Sequence, residues 1–242
     1  LTYNVRLFNK YDWIKKPGIK EKIFDLLKKE NADILCIQEF YSSNNIPNLN
    51  YPYRNIGMQN KRNQWHMVIY SKYPQIKNAT LSINGEEMNN TCIYSDIVIK
   101  GDTIRIYNIH LASNWFNNSD YSFIENPQKG KIKENILGIT KRMKKSYKKR
   151  AKEVSVIKKH MKESPYPLIV CGDFNDTPLS YAYQSIKGKL VDAFSISGKG
   201  IGNSFVKIPA LRIDYILHDS KFNSANYKKH HKVLSDHYAI SC

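Results

Sequence analysis

At 242 residues, the chain is long enough for one sizeable α/β or layered β core and too short for two comfortable ones. A mean hydropathy of −0.54, with no apolar run near the ~20 residues that cross a bilayer, excludes a transmembrane helix within these residues. The formal charge of +17 and pI of about 9.6 favour polyanionic partners such as nucleic acid, an anionic membrane surface or phosphorylated small molecules, although a lysine-rich proteome would produce the same bias.

Residues 1–8 alternate as a strand does, with Asn4 and Arg6 in the middle. The chain thus begins inside a strand, without an initiator Met or a signal peptide. An excised domain is expected, from which a targeting or membrane-attached segment has been removed. After a polar loop over 9–18, Ile19, Ile23, Leu26 and Leu27 form one helical stripe over 19–29. Asn31, Ala32 and Asp33 end that helix, and the next strand, 34–39, ends in Glu39. Strand, helix, strand is a layered α/β opening.

The middle is β-rich, with strands predicted over 65–71, 92–100 and 103–111, the last two joined by a tight turn around Gly101. The second of that pair ends in His110; a lone histidine there is more often structural than catalytic. From 115 to 145 the pattern fades into a polar insertion, followed by a helix over about 146–162 with Ala151, Val154, Ile157 and Met161 at core spacing. Between 129 and 162 there are fourteen Lys or Arg against two Glu. The segment, including Lys144, Lys145, Lys148 and Lys149, reads either as a solvated helix face or as a contact for a polyanion or lipid headgroup.

Residues 168–173 read as a strand buried on both faces, leading into Phe174, Asn175 and Asp176. A buried strand does not end in an acid, an amide and another acid unless it opens onto a site, because unpaired buried charge is costly. Asp173 and Asn175 lie two apart and point the same way, and Gly172 permits a close backbone approach. The alternative is a plain strand exit with Asp and Asn as turn formers. A short helix starting at Thr177–Ser180, a Gly/Ser-rich loop over 195–204, a strand over 211–218 containing Asp214, and Asp236-His237 before a final strand complete the chain. No repeat or linker divides it, so one domain is expected over 1–242. Cys36 and Cys171 sit in apolar runs and are expected to be buried free thiols.

Asn4, Glu39, His110, Asp173, Asn175, Asp214, Asp236 and His237 all fall within or at the ends of predicted strands. Gathered on one edge of packed sheets, the carboxylates would repel unless a hard cation joined them. Oxygen-rich ligation suits Mg²⁺ or Mn²⁺; zinc is less expected, because no Cys or His spacing resembles a zinc site.

The blocks YNVR at 3–6, QE at 38–39, NIHL at 108–111, GDFND at 172–176, RIDYI at 212–216 and SDH at 235–237 resemble the endonuclease/exonuclease/phosphatase, or DNase I-like, superfamily, in the family's order. The resemblance implies a four-layer α/β sandwich of two packed mixed β-sheets flanked by helices, and metal-dependent hydrolysis of a phosphoester. It implies metal binding at Glu39 and Asp236 with Asn4 nearby, and a proton- or phosphate-handling His237 oriented by Asp214. Asp173 would orient or deprotonate the attacking water, with His110 and Asn175 as hydrogen-bond donors to the phosphoryl oxygens. Asp173 and His237 both remain candidates for the general base.

Inositol-phosphate phosphatases of this superfamily carry an arginine and an aromatic just after GDxN and a Trp-Cys-Asp-Arg block, and both are missing here. His110 in its NxHL block is similar to the DNase-like, sphingomyelinase-like and deadenylase-like branches, and the wording SPYPLIVCGDFNDTP to uncharacterised Bacteroidetes members. The expected function is a phosphodiesterase acting on nucleic acid or phospholipid. Alternatives are a phosphomonoesterase of the same fold, or a binding module that no longer turns over. A monomer is expected.

Overall fold

The computed structural model describes residues 1–41, 49–57, 65–83, 86–87, 91–114, 116, 118–125 and 132–242. The strands are β1 (Thr2–Asn4), β2 (Ile34–Tyr41), β3 (Tyr53–Ile56), β4 (Trp65–Ser71), β5 (Gln75–Thr80), β6 (Ser82–Ile83), β7 (Glu86–Glu87), β8 (Cys92–Ile99), β9 (Asp102–His110), β10 (Leu168–Asp173), β11 (Val191–Asp192), β12 (Asp214–His218), β13 (Lys228–Lys229) and β14 (Ile240–Ser241). The helices are α1 (Ile19–Glu30), α2 (Asn118–Glu125), α3 (Ile132–Lys162), α4 (Tyr181–Lys187) and α5 (Ala193–Ser197).

One sheet runs β13-β14-β1-β2-β4-β3 and the other β11-β12-β10-β9-β8-β5. Each is mixed: β1 pairs parallel with β2 and β9 with β10, while their other neighbours are antiparallel. Side-chain alternation makes the layers. Leu35 and Ile37 of β2 face α1, packing with Ile23, Phe24 and Leu27, whereas Cys36 between them faces the other sheet. Tyr107, Ile109 and Val170 face α3 and α4 through Val154, Ile157 and Ile186, while Ile106 and Cys171 complete the inter-sheet layer. Helix, sheet, sheet, helix is the expected four-layer sandwich. Burying each of these large aliphatic side chains contributes about 1.5–3 kcal/mol.

The turn between β8 and β9 has Lys100 and Gly101 at positive φ, as a two-residue hairpin requires. Cys36 and Cys171 are buried free thiols, as is Cys92. Among the described residues, no helix is long and apolar enough to cross a membrane.

Several elements differ from the sequence reading, among them α5, which runs to Ser197 into the stretch read as a loop over 195–204. β1 stops at Asn4, because Arg6 N donates to Asn4 Oδ1 (3.1 Å) and residues 6–9 turn through positive φ. β2 continues past Glu39 to Tyr41 through a register shift, and β12 begins only at Asp214. The polar insertion, where described, holds α2 and the first half of α3, so the basic helix starts at Ile132 rather than near 146. Its first turns show no core stripe, since Ile132, Ile136 and Leu137 are exposed, and a buried-face pattern cannot reveal such a helix. Residues 115, 117 and 126–131 of the insertion lie outside the described residues.

Candidate active site

Parallel pairing brings the C-terminal ends of β1 and β2 together in one sheet and those of β9 and β10 together in the other. In the second sheet Asp173 is in register with His110 on one side and with Asp214 on the other. In the first, Asn4 is in register with Gln38. Gly172, at φ 141°, permits this packing: a Cβ there would stand 1.9 Å from Ile109 O. The close approach expected at this glycine is thus by the neighbouring strand's backbone.

Glu39 reaches the site because β2 bulges. Strict alternation would give Glu39 the α1-facing side that Ile37 occupies. Instead the register shifts between Ile37 and Phe40, Glu39 takes φ 49°, and Phe40 fills the α1-facing position. The bulge is fastened from the other sheet. Asn108 Nδ2 donates to the carbonyls of Ile37 and Val68, both at 2.9 Å, and Asn108 Oδ1 accepts from Gln38 Nε2 at 2.6 Å. Gln38 Nε2 also donates to Thr2 Oγ1 at 2.9 Å.

Asp173 Oδ2 is the hub. It accepts from Asn4 Nδ2 (3.0 Å) and Asn175 Nδ2 (3.2 Å), with His237 Nε2 at 3.6 Å and His110 Nε2 at 3.7 Å. Asp173 Oδ1 accepts from Asn175 N at 2.8 Å, and Asn175 Nδ2 also donates to Leu111 O at 2.8 Å. His237 Nδ1 donates to Asp214 Oδ2 at 2.9 Å, which fixes the ring and leaves Nε2 toward Asp173. Asp214 is itself anchored, its backbone N donating to Ser204 Oγ at 2.9 Å. Ser235 Oγ donates to Asn4 O (2.8 Å) and to Asp236 Oδ1 (3.2 Å), joining the SDH block to β1. Glu39 Oε1 lies 3.7 Å from His110 Nε2 and accepts weakly from Asn4 at 3.4 Å.

The charges conflict. Burial, then the nearby Asp236 and Asp173 carboxylates, push Glu39 up to about 7. Burial and Asp214 also raise Asp173, against the opposing pull of His237. At His237 burial disfavours the imidazolium, but the carboxylates of Asp214 and Asp173 outweigh it and hold the ring's pKa well above its ordinary value. At His110 burial wins, and its pKa is lowered.

All eight strand-end residues from the sequence reading therefore converge. The four lysines remain on the exposed surface of α3, with Lys149 adding to the positive charge felt at His110. Sequence reasoning gave no role to Gln38, Asn108 or Ser235, although each lies inside a quoted block. It counted Arg150 among the surface charges, yet Arg150 is 1% exposed. From inside α3 it donates to Asp176 Oδ2 (3.0 Å), Ala112 O (2.7 Å) and Asn114 Oδ1 (3.0 Å), bracing the loops after His110 and Asn175. Its position four residues before Val154 and seven before Ile157, on the apolar stripe, was the available signal. Arg6 was likewise given no role, and its Nη1 pairs with Asp236 Oδ2 at 3.0 Å.

A four-layer sandwich with acids, amides and imidazoles at one end of its paired sheets is the DNase I-like class of fold. Residues 144–237 match the sequence model of the Endonuclease/Exonuclease/phosphatase family. Among solved structures, the chain is similar to a Bacteroides thetaiotaomicron mannosyl-6-phosphatase (15% identity, TM-score 0.68, covering 99% of this chain and 96% of the other). It is also similar to an endonuclease/exonuclease/phosphatase family protein of the same organism (15% identity, TM-score 0.69, covering 99% and 91%) and to a humanised D. rerio TDP2 (15% identity, TM-score 0.67, covering 99% and 95%). No curated protein is matched by sequence. The chain thus shares the fold of these structures over nearly its whole length, and its residues 144–237 match the family's sequence model.

Proposed function

We propose that this protein is a divalent-metal-dependent phosphoesterase that hydrolyses a phosphodiester by attack of an activated water, with 1–242 forming a single catalytic domain. The observation that carries the reading is Asp173 Oδ2, a buried carboxylate oxygen facing two imidazoles and two amides. The group that accepts the water's proton is Asp173, whose Oδ2 faces both imidazoles and whose pKa is raised by burial and Asp214 against the pull of His237. His237, oriented by Asp214, donates to a phosphoryl oxygen as charge grows there, as does His110. Asn175 keeps its shorter bond to Leu111 and turns its weaker donor from Asp173 to the phosphoryl group.

The residues fit a hard cation. Burial, then the Asp236 and Asp173 carboxylates, raise Glu39 to about 7, and Glu39, Asp236 and Asn4 each carry a side-chain oxygen, so these three would hold Mg²⁺ or Mn²⁺. Ligand atoms of Asp173, Asp214 and His237 also lie within 4.8 Å of one another, but His237 already donates to Asp214 through one nitrogen and faces Asp173 with the other. When bound, the cation would polarise the phosphoryl group and stabilise the leaving oxygen.

A phosphomonoesterase is the second reading, favoured by the similar structure named a mannosyl-6-phosphatase. A lapsed enzyme is disfavoured because every expected polar position is filled and all converge. The protein acts as a monomer, and the basic face of α3 guides a polyanionic or membrane-presented phosphoester. Neutralising Lys144, Lys145, Lys148 and Lys149 together should flatten the salt dependence of nucleic-acid or anionic-liposome binding, measured by titration at several ionic strengths. The test of the function is a panel of single- and double-stranded DNA, RNA, phospholipids, inositol phosphates and sugar phosphates at fixed ionic strength, with and without Mg²⁺ or Mn²⁺. Metal-dependent release from a diester supports the first reading, and release from monoesters alone supports the second.

A further inference from the structure

Helix α3 turns a polar row inward. Ser146, Arg150 and Glu153 recur at helical spacing, are all buried, and lead into the apolar stripe of Val154 and Ile157. Each bonds to the segment after His110: Ser146 Oγ donates to Ser113 O at 2.7 Å, Arg150 Nη1 donates to Ala112 O at 2.7 Å, and Glu153 Oε2 accepts from Ala112 N at 2.9 Å. Arg150 also reaches the second loop, its Nε donating to Asp176 Oδ2 at 3.0 Å. Asp176 is held from two further sides, Oδ1 accepting from Thr177 N at 3.1 Å and the carbonyl from the Tyr215 hydroxyl at 2.8 Å.

Asn175 lies between these anchors. It takes φ 51°, a left-handed conformation that persists only where the surroundings over-determine it. Its Nδ2 donates to Leu111 O at 2.8 Å. Arg150 therefore grips both ends of that bond, the acceptor side through Ala112 and the donor's backbone through Asp176. The grip depends on a planar fork with separate donors, which a lysine ammonium does not offer. We infer that Arg150 is a positioning residue of the candidate active site, holding Asn175 Nδ2 where that amide can serve the phosphoryl group. The inference rests on the phosphoesterase reading and adds the residue that sets this donor's geometry.

The test compares wild type with Arg150→Lys, which keeps the charge and loses the fork, and with Asp176→Asn, which weakens the same link from the other loop. Each is checked for a native melting transition, so one folded variant suffices. On bis-p-nitrophenyl phosphate with Mg²⁺, kcat should fall about 10–10²-fold with KM within about twofold, the loss expected of a misplaced group. In an Asn175→Ala background the same substitution should cost less than about threefold, because the group it positions is gone. In ¹H–¹⁵N spectra the Asn175 side-chain amide should move, while that of Asn108, bonded between the sheets, stays in place. An unchanged kcat, a loss carried by KM, equal losses in both backgrounds, or an unmoved Asn175 resonance overturns the inference. A resonance that moves in a protein whose wild type hydrolyses no phosphoester overturns the phosphoesterase reading alone.

Discussion

The two ends of the paired sheets differ in kind. The end opposite the candidate site holds a space of about 730 Å³, lined by Ile104, Ile106, Ile216, Cys36 and Cys171 and, around these, by polar groups such as Glu30, Asp33 and His218. Its histidine, His218, is satisfied by Asp219 O and Ser224 Oγ. At the site end, burial together with closely set acids and imidazoles moves Glu39, Asp173, His110 and His237 out of their ordinary protonation ranges. Unresolved charge, more than volume, marks where chemistry is done. The direction of the strands explains the asymmetry, since four parallel-paired strands deliver their C-terminal ends to one edge.

Breaking the charged end should have the largest effect. His237→Ala removes the donor held between Asp214 and Asp173, and kcat on a responsive phosphoester should fall about 10²–10⁴-fold with the fold intact by circular dichroism. Glu39→Gln should abolish most metal-dependent turnover and reveal the conflict in stability. Glu39 titrates near 7 when folded against an unperturbed 4.5, so the folded chain holds this proton more tightly than the unfolded one. Below about 4.5 the difference vanishes, and the metal-free protein loses stability as pH rises from there to about 7. Metal-free Glu39→Gln should therefore be more stable than wild type at pH 8, by about 1–3 kcal/mol in urea titrations, and added Mg²⁺ should narrow the gap.

Asn108→Ala tests the inter-sheet fastening. Leaving the Ile37 and Val68 carbonyls and Gln38 without their partner should cost about 1–3 kcal/mol, seen as a lower Tm. It should also depress kcat beyond what destabilisation explains, because Glu39 loses its held bulge. At the opposite end Ile99→Phe should leave kcat within about twofold, as distant sites act independently. Activity lost there would refute the division of roles between the two ends.

Much of the site was legible because its residues break a rule: Asp173, Asp214 and Glu39 are acids in apolar strand runs. The layers were legible from alternation, as in Leu35-Cys36-Ile37, and from the stripe of α1. What the sequence hid was non-local. The bulge at Glu39 is set by Phe40 against α1 and by Asn108 from the other sheet, partners about seventy residues apart in the chain. Arg150 looked like one more charge in a basic run, although its place on the stripe of Val154 and Ile157 gave it away. The first half of α3 stayed hidden because it buries no continuous face.

The central claim is that the polar end hydrolyses phosphoesters with a bound divalent cation. Its most direct test is hydrolysis of bis-p-nitrophenyl phosphate with Mg²⁺ or Mn²⁺ and with a chelator, by wild type, Glu39→Ala and His237→Ala. Release of p-nitrophenolate that requires the metal and is lost in both variants is the predicted result. Release that survives chelation, or persists in both variants, would contradict the account.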